Sequence, residues 1–121
     1  PGDESDIRKY RHFPKGSSFD ETVRTIAGIP DRQANAHYRS QACFLFDRRD
    51  RPVVDCVGRL ENLDCDIAFV WKRLGRTPPS LDFQNRSERA EYTAYYSDEL
   101  AEIVARRYAR DLRLLGYRFG D

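Results

Sequence analysis

The side chains best suited to chemistry are concentrated in two polar patches. The first is His37-Tyr38-Arg39-Ser40-Gln41, where an imidazole, a guanidinium, a hydroxyl and an amide fall within five residues. Guanidinium groups form strong charge-assisted hydrogen bonds, so this patch suits an anionic ligand. A solvated polar turn would have the same composition, and the residue types alone leave both interpretations open.

The second patch lies in a proline-containing stretch, residues 76–89, that is predicted to be a long loop. Asn85, Arg86 and Ser87 offer an amide, a guanidinium and a hydroxyl to an acceptor such as a phosphate. A solvated loop accounts for these residues equally well.

Arg59 and Glu61 are two charged residues at the end of a predicted strand. Side chains two apart share one face of a strand, so we expect a buried ion pair that positions this strand. We therefore assign both residues a structural role.

Other kinds of site are not indicated. The sequence contains no Walker phosphate loop, no histidine pair at metal spacing and no serine or cysteine nucleophile motif. Cys43, Cys56 and Cys65 are odd in number and lack metal-type spacing, so we expect reduced, buried thiols. The pattern predicts neither a metal site nor a disulfide framework, and it identifies no catalytic residue.

Helical signals flank these patches. A capping box that begins at Ser18 predicts a helix of about ten residues that stops at Gly28. A second helix is predicted over residues 62–75, with an asparagine as N-cap and a glycine as terminator. A final helix, N-capped by a serine, is predicted over residues 97–116.

A β-hairpin is predicted between the first two helices. Residues 42–46 and 52–57 are rich in Phe, Val and Cys, and five charged residues join them. Because the strand period is two, one set is expected to share a face: Phe44, Phe46, Val54 and Cys56.

Composition limits the classes of protein. The chain has 121 residues, 34% of them charged, and a formal net charge of +1. This length supports one domain with a small core, and the balanced charge gives no reason to expect a nucleic-acid partner. No apolar run approaches the roughly 20 residues of a membrane span. Because methionine is absent, we expect the chain to be a piece of a longer one.

Five motifs carry a resemblance to a known family. They are, in order, His37-Tyr38-Arg39-Ser40-Gln41, Val54-Asp55-Cys56-Val57-Gly58-Arg59-Leu60-Glu61-Asn62-Leu63, Asn85-Arg86-Ser87, Tyr95-Tyr96-Ser97-Asp98-Glu99-Leu100, and Tyr108 with Asp111 and Leu115-Gly116-Tyr117. The ordered set resembles the C-terminal half of the carbohydrate sulfotransferases of the chondroitin and HNK-1 type, and their bacterial relatives. Ser40 stands where relatives often have proline, and Cys65 interrupts an acidic run.

The resemblance implies an α/β fold, the C-terminal portion of a P-loop-like sulfotransferase fold, here mainly helical with one short β-hairpin. Residues 1–121 would form a single partial domain that lacks the N-terminal half, which binds the phosphosulfate. The implied reaction transfers a sulfuryl group from 3′-phosphoadenosine-5′-phosphosulfate (PAPS) to a hydroxyl, commonly of a carbohydrate, with PAP as product and no metal. Positioning and charge stabilisation would provide most of the rate.

By position, the resemblance places residues 85–87 against the nucleotide, near its 3′-phosphate. His37, Arg39 and Gln41 match the polar motif on the acceptor side. The family's catalytic base lies upstream of this segment, so the 121-residue chain alone is expected to be inactive.

The alternative to an enzyme is a non-catalytic module that keeps the sulfotransferase tail for binding or interaction. We expect a cytoplasmic location in a bacterium, or the Golgi lumen if the source is eukaryotic. Elements taken from a larger sheet would leave apolar faces uncovered, so self-association is also expected.

Overall fold

The structure, a computed structural model, describes residues 16–80 and 90–120. Within these ranges the regular elements are helical: α1 (Phe19–Ala27), α2 (Ala42–Leu45), α3 (Leu63–Arg73), α4 (Asp98–Arg107) and α5 (Ala109–Leu115). Short 3₁₀ turns at Leu60–Asn62 and Tyr92–Tyr95 precede α3 and α4. No helix in these ranges has the length and apolar character needed to cross a membrane.

Helix α1 begins and ends where the sequence predicts. Ser18 Oγ accepts the N–H of Glu21 at 3.2 Å, and Glu21 Oε2 accepts the N–H of Ser18 at 2.8 Å, which confirms the capping box. The helix packs against α4, and Val23 and Leu100 are buried between them. This pair of helices forms one half of a small core.

The expected α/β fold is wrong, because the described residues form no strand. Residues 42–45, predicted as the first arm of a hairpin, form helix α2. Both carboxylate oxygens of Asp111 accept backbone N–H groups at the start of this helix, from Gln41 and Ala42, at 2.8 Å each. These bonds satisfy donors that a helix leaves unpaired at its N-terminus, so a distant contact selects helix over strand.

Only the turn of the predicted hairpin is found. An isolated antiparallel bridge joins Phe46 to Pro52, and the N–H of Val53 donates to Leu45 O at 2.9 Å. Residues 53–57 then remain irregular, because a strand needs a neighbour to pair its backbone and none of the described segments provides one. The predicted register is wrong for the same reason, since Phe44 belongs to α2.

The predicted final helix is divided in two at Tyr108, whose backbone has φ −109° and ψ 26°. The two parts contact different elements, since α4 packs on α1 and α5 packs on α2. At the start of α4, Ser97 Oγ accepts the N–H of Leu100 at 3.2 Å, as predicted. At the end of α5, Gly116 adopts a left-handed conformation with φ 74°, which terminates the helix.

Helix α3 forms close to its predicted limits but has little packing. Its main contact is with the adjoining 3₁₀ turn, and it contains no buried residue. Phe69 is 52% exposed, and Leu74, which follows the helix, is 65% exposed. The described part of the chain therefore leaves large apolar side chains in and beside this helix exposed.

Candidate functional site

The guanidinium of Arg39, predicted to face the acceptor, is used to hold the chain's own backbone. Its Nε donates to Asp31 O at 3.1 Å and its Nη2 donates to Ala34 O at 2.9 Å. Ala34 is buried, so these bonds stabilise the turn that precedes the patch. Arg39 therefore has a structural role.

His37 and Gln41 are both exposed, but they are in different surroundings. The backbone N–H of His37 donates to Asn35 Oδ1 at 3.0 Å, within a local turn. The backbone N–H of Gln41 donates to Asp111, and the Gln41 side-chain amide makes no hydrogen bond with any described residue. Of the predicted trio, Gln41 lies at the edge of a cavity lined by described residues.

The predicted nucleotide-contacting residues, Asn85, Arg86 and Ser87, lie outside the described residues. Their assignment stays a prediction from the sequence.

Asp31 is the centre of a hydrogen-bond network that the sequence analysis missed. Its Oδ1 accepts the N–H of Ser40 at 2.9 Å and Arg107 Nη2 at 2.7 Å, and its Oδ2 accepts the Cys43 thiol at 3.3 Å. Ser40 is buried, and the Arg107 side chain is only 9% exposed. Partial burial raises the pKa of Asp31, but the hydrogen bonds from Ser40, Arg107 and Cys43 outweigh it and hold that pKa far below the usual value.

Tyr38 and Tyr108 extend this network. Tyr108 Oη donates to Tyr38 O at 2.9 Å, and Arg107 Nη2 reaches the same carbonyl at 3.3 Å. The Arg107 guanidinium also lies 4.8 Å from the centre of the Tyr108 ring. The junction between α4 and α5 is therefore fixed to residues 31–43 by several bonds.

The network contains no activated nucleophile. Desolvation and the nearby Asp31 carboxylate raise the pKa of the Cys43 thiol, which keeps it protonated and weakly nucleophilic. Burial likewise raises the pKa of Tyr108. The three cysteines are free, as predicted, but the expectation that they are buried is wrong, because each is exposed.

The charged turn between Phe46 and Pro52 is attached to α5. Asp50, in a left-handed conformation with φ 58°, accepts Arg110 Nε at 2.9 Å and Arg113 Nη2 at 2.7 Å. The two guanidinium groups lower the pKa of Asp50. The turn is thereby held beside the helix that also supplies Asp111.

Arg59 and Glu61 do not form the buried ion pair that the sequence predicts. Both residues are exposed, and each contacts the C-terminal motif instead. Arg59 Nη2 donates to Leu115 O, and its guanidinium lies 4.9 Å from the centre of the Tyr117 ring. Tyr117 Oη donates to Glu61 Oε2 at 3.0 Å. The two charges therefore connect two chain segments and do not neutralise each other.

A cavity of about 240 Å³ lies where these segments meet. Its walls include Gln41, Arg59 and Tyr117, together with apolar side chains such as Phe46 and Val57. Three motifs that are far apart in sequence therefore contribute to one concave surface. The cavity offers an amide and a cation to a ligand, next to an apolar wall.

No signal in the sequence could have located the Asp31 network, because Asp31 and Arg107 are 76 positions apart and each belongs to an ordinary polar context. Among the described residues, no group of three or more His, Cys, Asp or Glu side chains is arranged to hold a metal ion. Comparison of the chain with protein-family models, with curated proteins and with solved structures finds no match.

Proposed function

We propose that this chain contributes to an enzyme that transfers a sulfuryl group from PAPS to a hydroxyl of a carbohydrate. The preceding part of the enzyme would supply the phosphosulfate loop and the general base. The acceptor oxygen forms a bond to sulfur while the bond from sulfur to the phosphate oxygen breaks. PAP leaves with that electron pair, and the hydroxyl proton passes to the general base.

The observation that supports this proposal is the assembly of the resembling motifs. Gln41 contacts Asp111 across 70 positions, Arg59 contacts Leu115 across 56, and Tyr108 contacts Tyr38 across 70. Residues with a shared role in one site must meet in space, whatever their separation in sequence. Four of the five motifs lie at least partly in the described residues, and three of them are joined by these contacts.

A non-catalytic binding module is the second candidate, and one observation favours it. Arg39, which the resemblance assigns to the acceptor side, donates its Nε and Nη2 to the backbone carbonyls of Asp31 and Ala34, so these donors are used within the chain and not for an acceptor. A sulfotransferase-derived module would bind nucleotide or partner without turnover.

The two candidates are separated by an assay of the longest natural chain that contains these 121 residues. Labelled PAPS is offered with a panel of mono- and oligosaccharides, and PAP affinity is measured by calorimetry. The enzyme proposal expects label on an acceptor together with PAP binding. PAP binding without label transfer supports the module, and the absence of both contradicts the sulfotransferase proposal.

The loop at residues 85–87 gives the sharpest test of nucleotide recognition. Arg86→Ala and Ser87→Ala should each weaken PAP binding in the same long chain, about tenfold to over a hundredfold for the charged residue, because charge-assisted contacts to a phosphate are lost. Arg59→Ala is the matched control, since it also removes a guanidinium but should lower stability and leave PAP affinity unchanged. Unaltered PAP affinity in both loop variants would remove this loop from the nucleotide site.

A further inference from the structure

The cavity beside Arg59 has the chemistry of an anion site that is separate from the predicted nucleotide loop. Its volume is about 240 Å³, and an apolar cavity of about 150 Å³ can hold a benzene ring. A small organic molecule therefore fits within it. The apolar wall, which includes Phe46, Val57 and Leu114, favours a ligand with a carbon body over an inorganic ion.

The charge of Arg59 is available to such a ligand. Arg107 and Arg110 are paired with Asp31 and Asp50, whereas Arg59 forms no ion pair with a described residue. Among the described residues that line the cavity, Arg59 alone is charged. No carboxylate is among the described lining residues, and the three that contact them accept hydrogen bonds there: Asp66 from the N–H of Arg59 at 2.7 Å, Glu61 from Tyr117 Oη at 3.0 Å and Asp111 from the N–H of Gln41 at 2.8 Å.

Gln41 supplies a second donor at the same cavity. Its side-chain amide is exposed and makes no hydrogen bond within the described part of the chain, although its backbone is fixed by Asp111 at 2.8 Å. The fixed backbone keeps the Gln41 amide beside the cavity, and no intramolecular bond has to be broken before the amide donates to a ligand. The amide N–H₂ and the guanidinium can each donate to one oxygen of a carboxylate.

We propose that this cavity, formed by Gln41, Arg59 and the apolar wall beside them, is a binding site for a small organic carboxylate. A single cation matches a single negative charge, whereas a nucleotide bisphosphate would require several. The site is therefore distinct from the one predicted for PAP, and it does not depend on the sulfotransferase proposal.

Benzoate and benzamide are the probes, because they have nearly the same shape and differ in charge. The isotope-labelled 121-residue chain is titrated with each, and backbone amide resonances are followed by NMR. Benzoate should shift the resonances of residues in the wall, such as Gly58 and Leu115, and benzamide should bind at least tenfold more weakly. Added salt should weaken only the benzoate interaction.

Gln41→Glu tests the donor directly, since it keeps the size of the side chain and places a negative charge at the cavity. We expect benzoate affinity to fall at least tenfold, with an unchanged circular dichroism spectrum because the Gln41 side chain has no intramolecular bond to lose. Gln33→Glu is the matched control: Gln33 is exposed in the turn before the patch, outside the cavity wall, and its substitution should leave benzoate affinity unchanged.

Several outcomes would overturn the proposal. It fails if benzoate causes no shifts at the cavity up to its solubility limit, if benzamide binds as well as benzoate, or if the two glutamate variants behave alike. It also fails if PAP displaces benzoate from the cavity, because the cavity would then be a phosphate site. None of these results depends on whether the longer chain transfers sulfate.

Discussion

Residues 31–43 and residues 53–74 differ in how well other described parts of the chain bury them. In the first stretch, Ala34, Ser40 and Ala42 are buried, and α4 and α5 contribute the groups that surround them. In the second stretch no residue is buried, although it carries a helix and several valines. The difference does not come from hydrophobicity, because the second stretch is the richer in large apolar residues.

The contrast indicates which part of the chain can be stable alone. Asp31 and Asp111 fix the first stretch with bonds that span about 70 positions of sequence, so it is cross-linked to the C-terminal helices. The second stretch is joined to the end of α5 by the bond from Arg59 to Leu115 O, and to Tyr117 just beyond that helix by Glu61. Its exposed valines and helix face are of the kind that a further segment or a second molecule covers.

Substitution of Asp31 should produce the largest effect on the first stretch. Asp31→Asn keeps an acceptor for the N–H of Ser40 but leaves the Arg107 charge unpaired, with its side chain only 9% exposed. Breaking a buried pair costs about 3 to 5 kcal/mol, and the 33% exposure of Asp31 reduces the expected loss to about 2 kcal/mol. Urea unfolding followed by circular dichroism measures this value.

Acid titration of the same variant provides its control. The pKa of Asp31 is depressed in the folded chain, so its contribution is fully present above its ordinary value of 3.8 and is lost as the pH falls below that value. At low pH the free energy of unfolding of Asp31→Asn should therefore come close to that of the wild type. Asp20→Asn, which breaks an exposed pair with Arg24, should show little change at either pH. If Asp31→Asn is less stable than the wild type by the same free energy of unfolding at every pH, the charge of Asp31 does not stabilise the fold.

Asp111 should produce the next largest effect. Asp111→Ala removes the acceptor of two N–H groups, one of them on the fully buried Ala42, and should cost about 1 to 2 kcal/mol with loss of α2, because the exposed Gln41 can bond to water instead. Asp111→Asn keeps one oxygen and should lose less. Asp55→Asn, in the exposed stretch, is the control and should leave the free energy of unfolding unchanged. Equal stabilities of the alanine variant and the wild type would exclude this explanation of α2.

The features that the sequence predicts correctly depend on neighbouring residues. The N-caps at Ser18 and Ser97 and the left-handed terminators Gly75 and Gly116 act within a few positions, so their residue types reveal them. The prediction of a hairpin was wrong for two reasons. Bonds to Asp111, about 70 positions away, stabilise residues 42–45 as a helix, and no described strand pairs with residues 53–57. The sequence pattern of the predicted hairpin contains neither of these facts.

The same distinction holds for the candidate site. Gln41 was assigned to the acceptor side, which stays a prediction, and its position at a cavity depends on α5 and could not be read from its own motif. Arg39 has the residue type of an anion ligand, but two backbone carbonyls occupy its donors. The residue types therefore indicate which hydrogen-bond donors are present, and the fold determines which groups those donors bind.

The smallest effect on the free energy of unfolding is expected in the exposed stretch, where association is the property that changes. Phe69 and Leu74 are 52% and 65% exposed, so Phe69→Ser with Leu74→Ser removes few contacts from the monomer. If the 121-residue chain self-associates through this face, light scattering will show a concentration-dependent mass for the wild type and a monomer for the double variant. Val23→Ala, in the buried face of α1, should do the reverse and lower the melting temperature without changing the mass. A wild-type chain that remains monomeric at every concentration would show that this apolar face does not pair with a second copy.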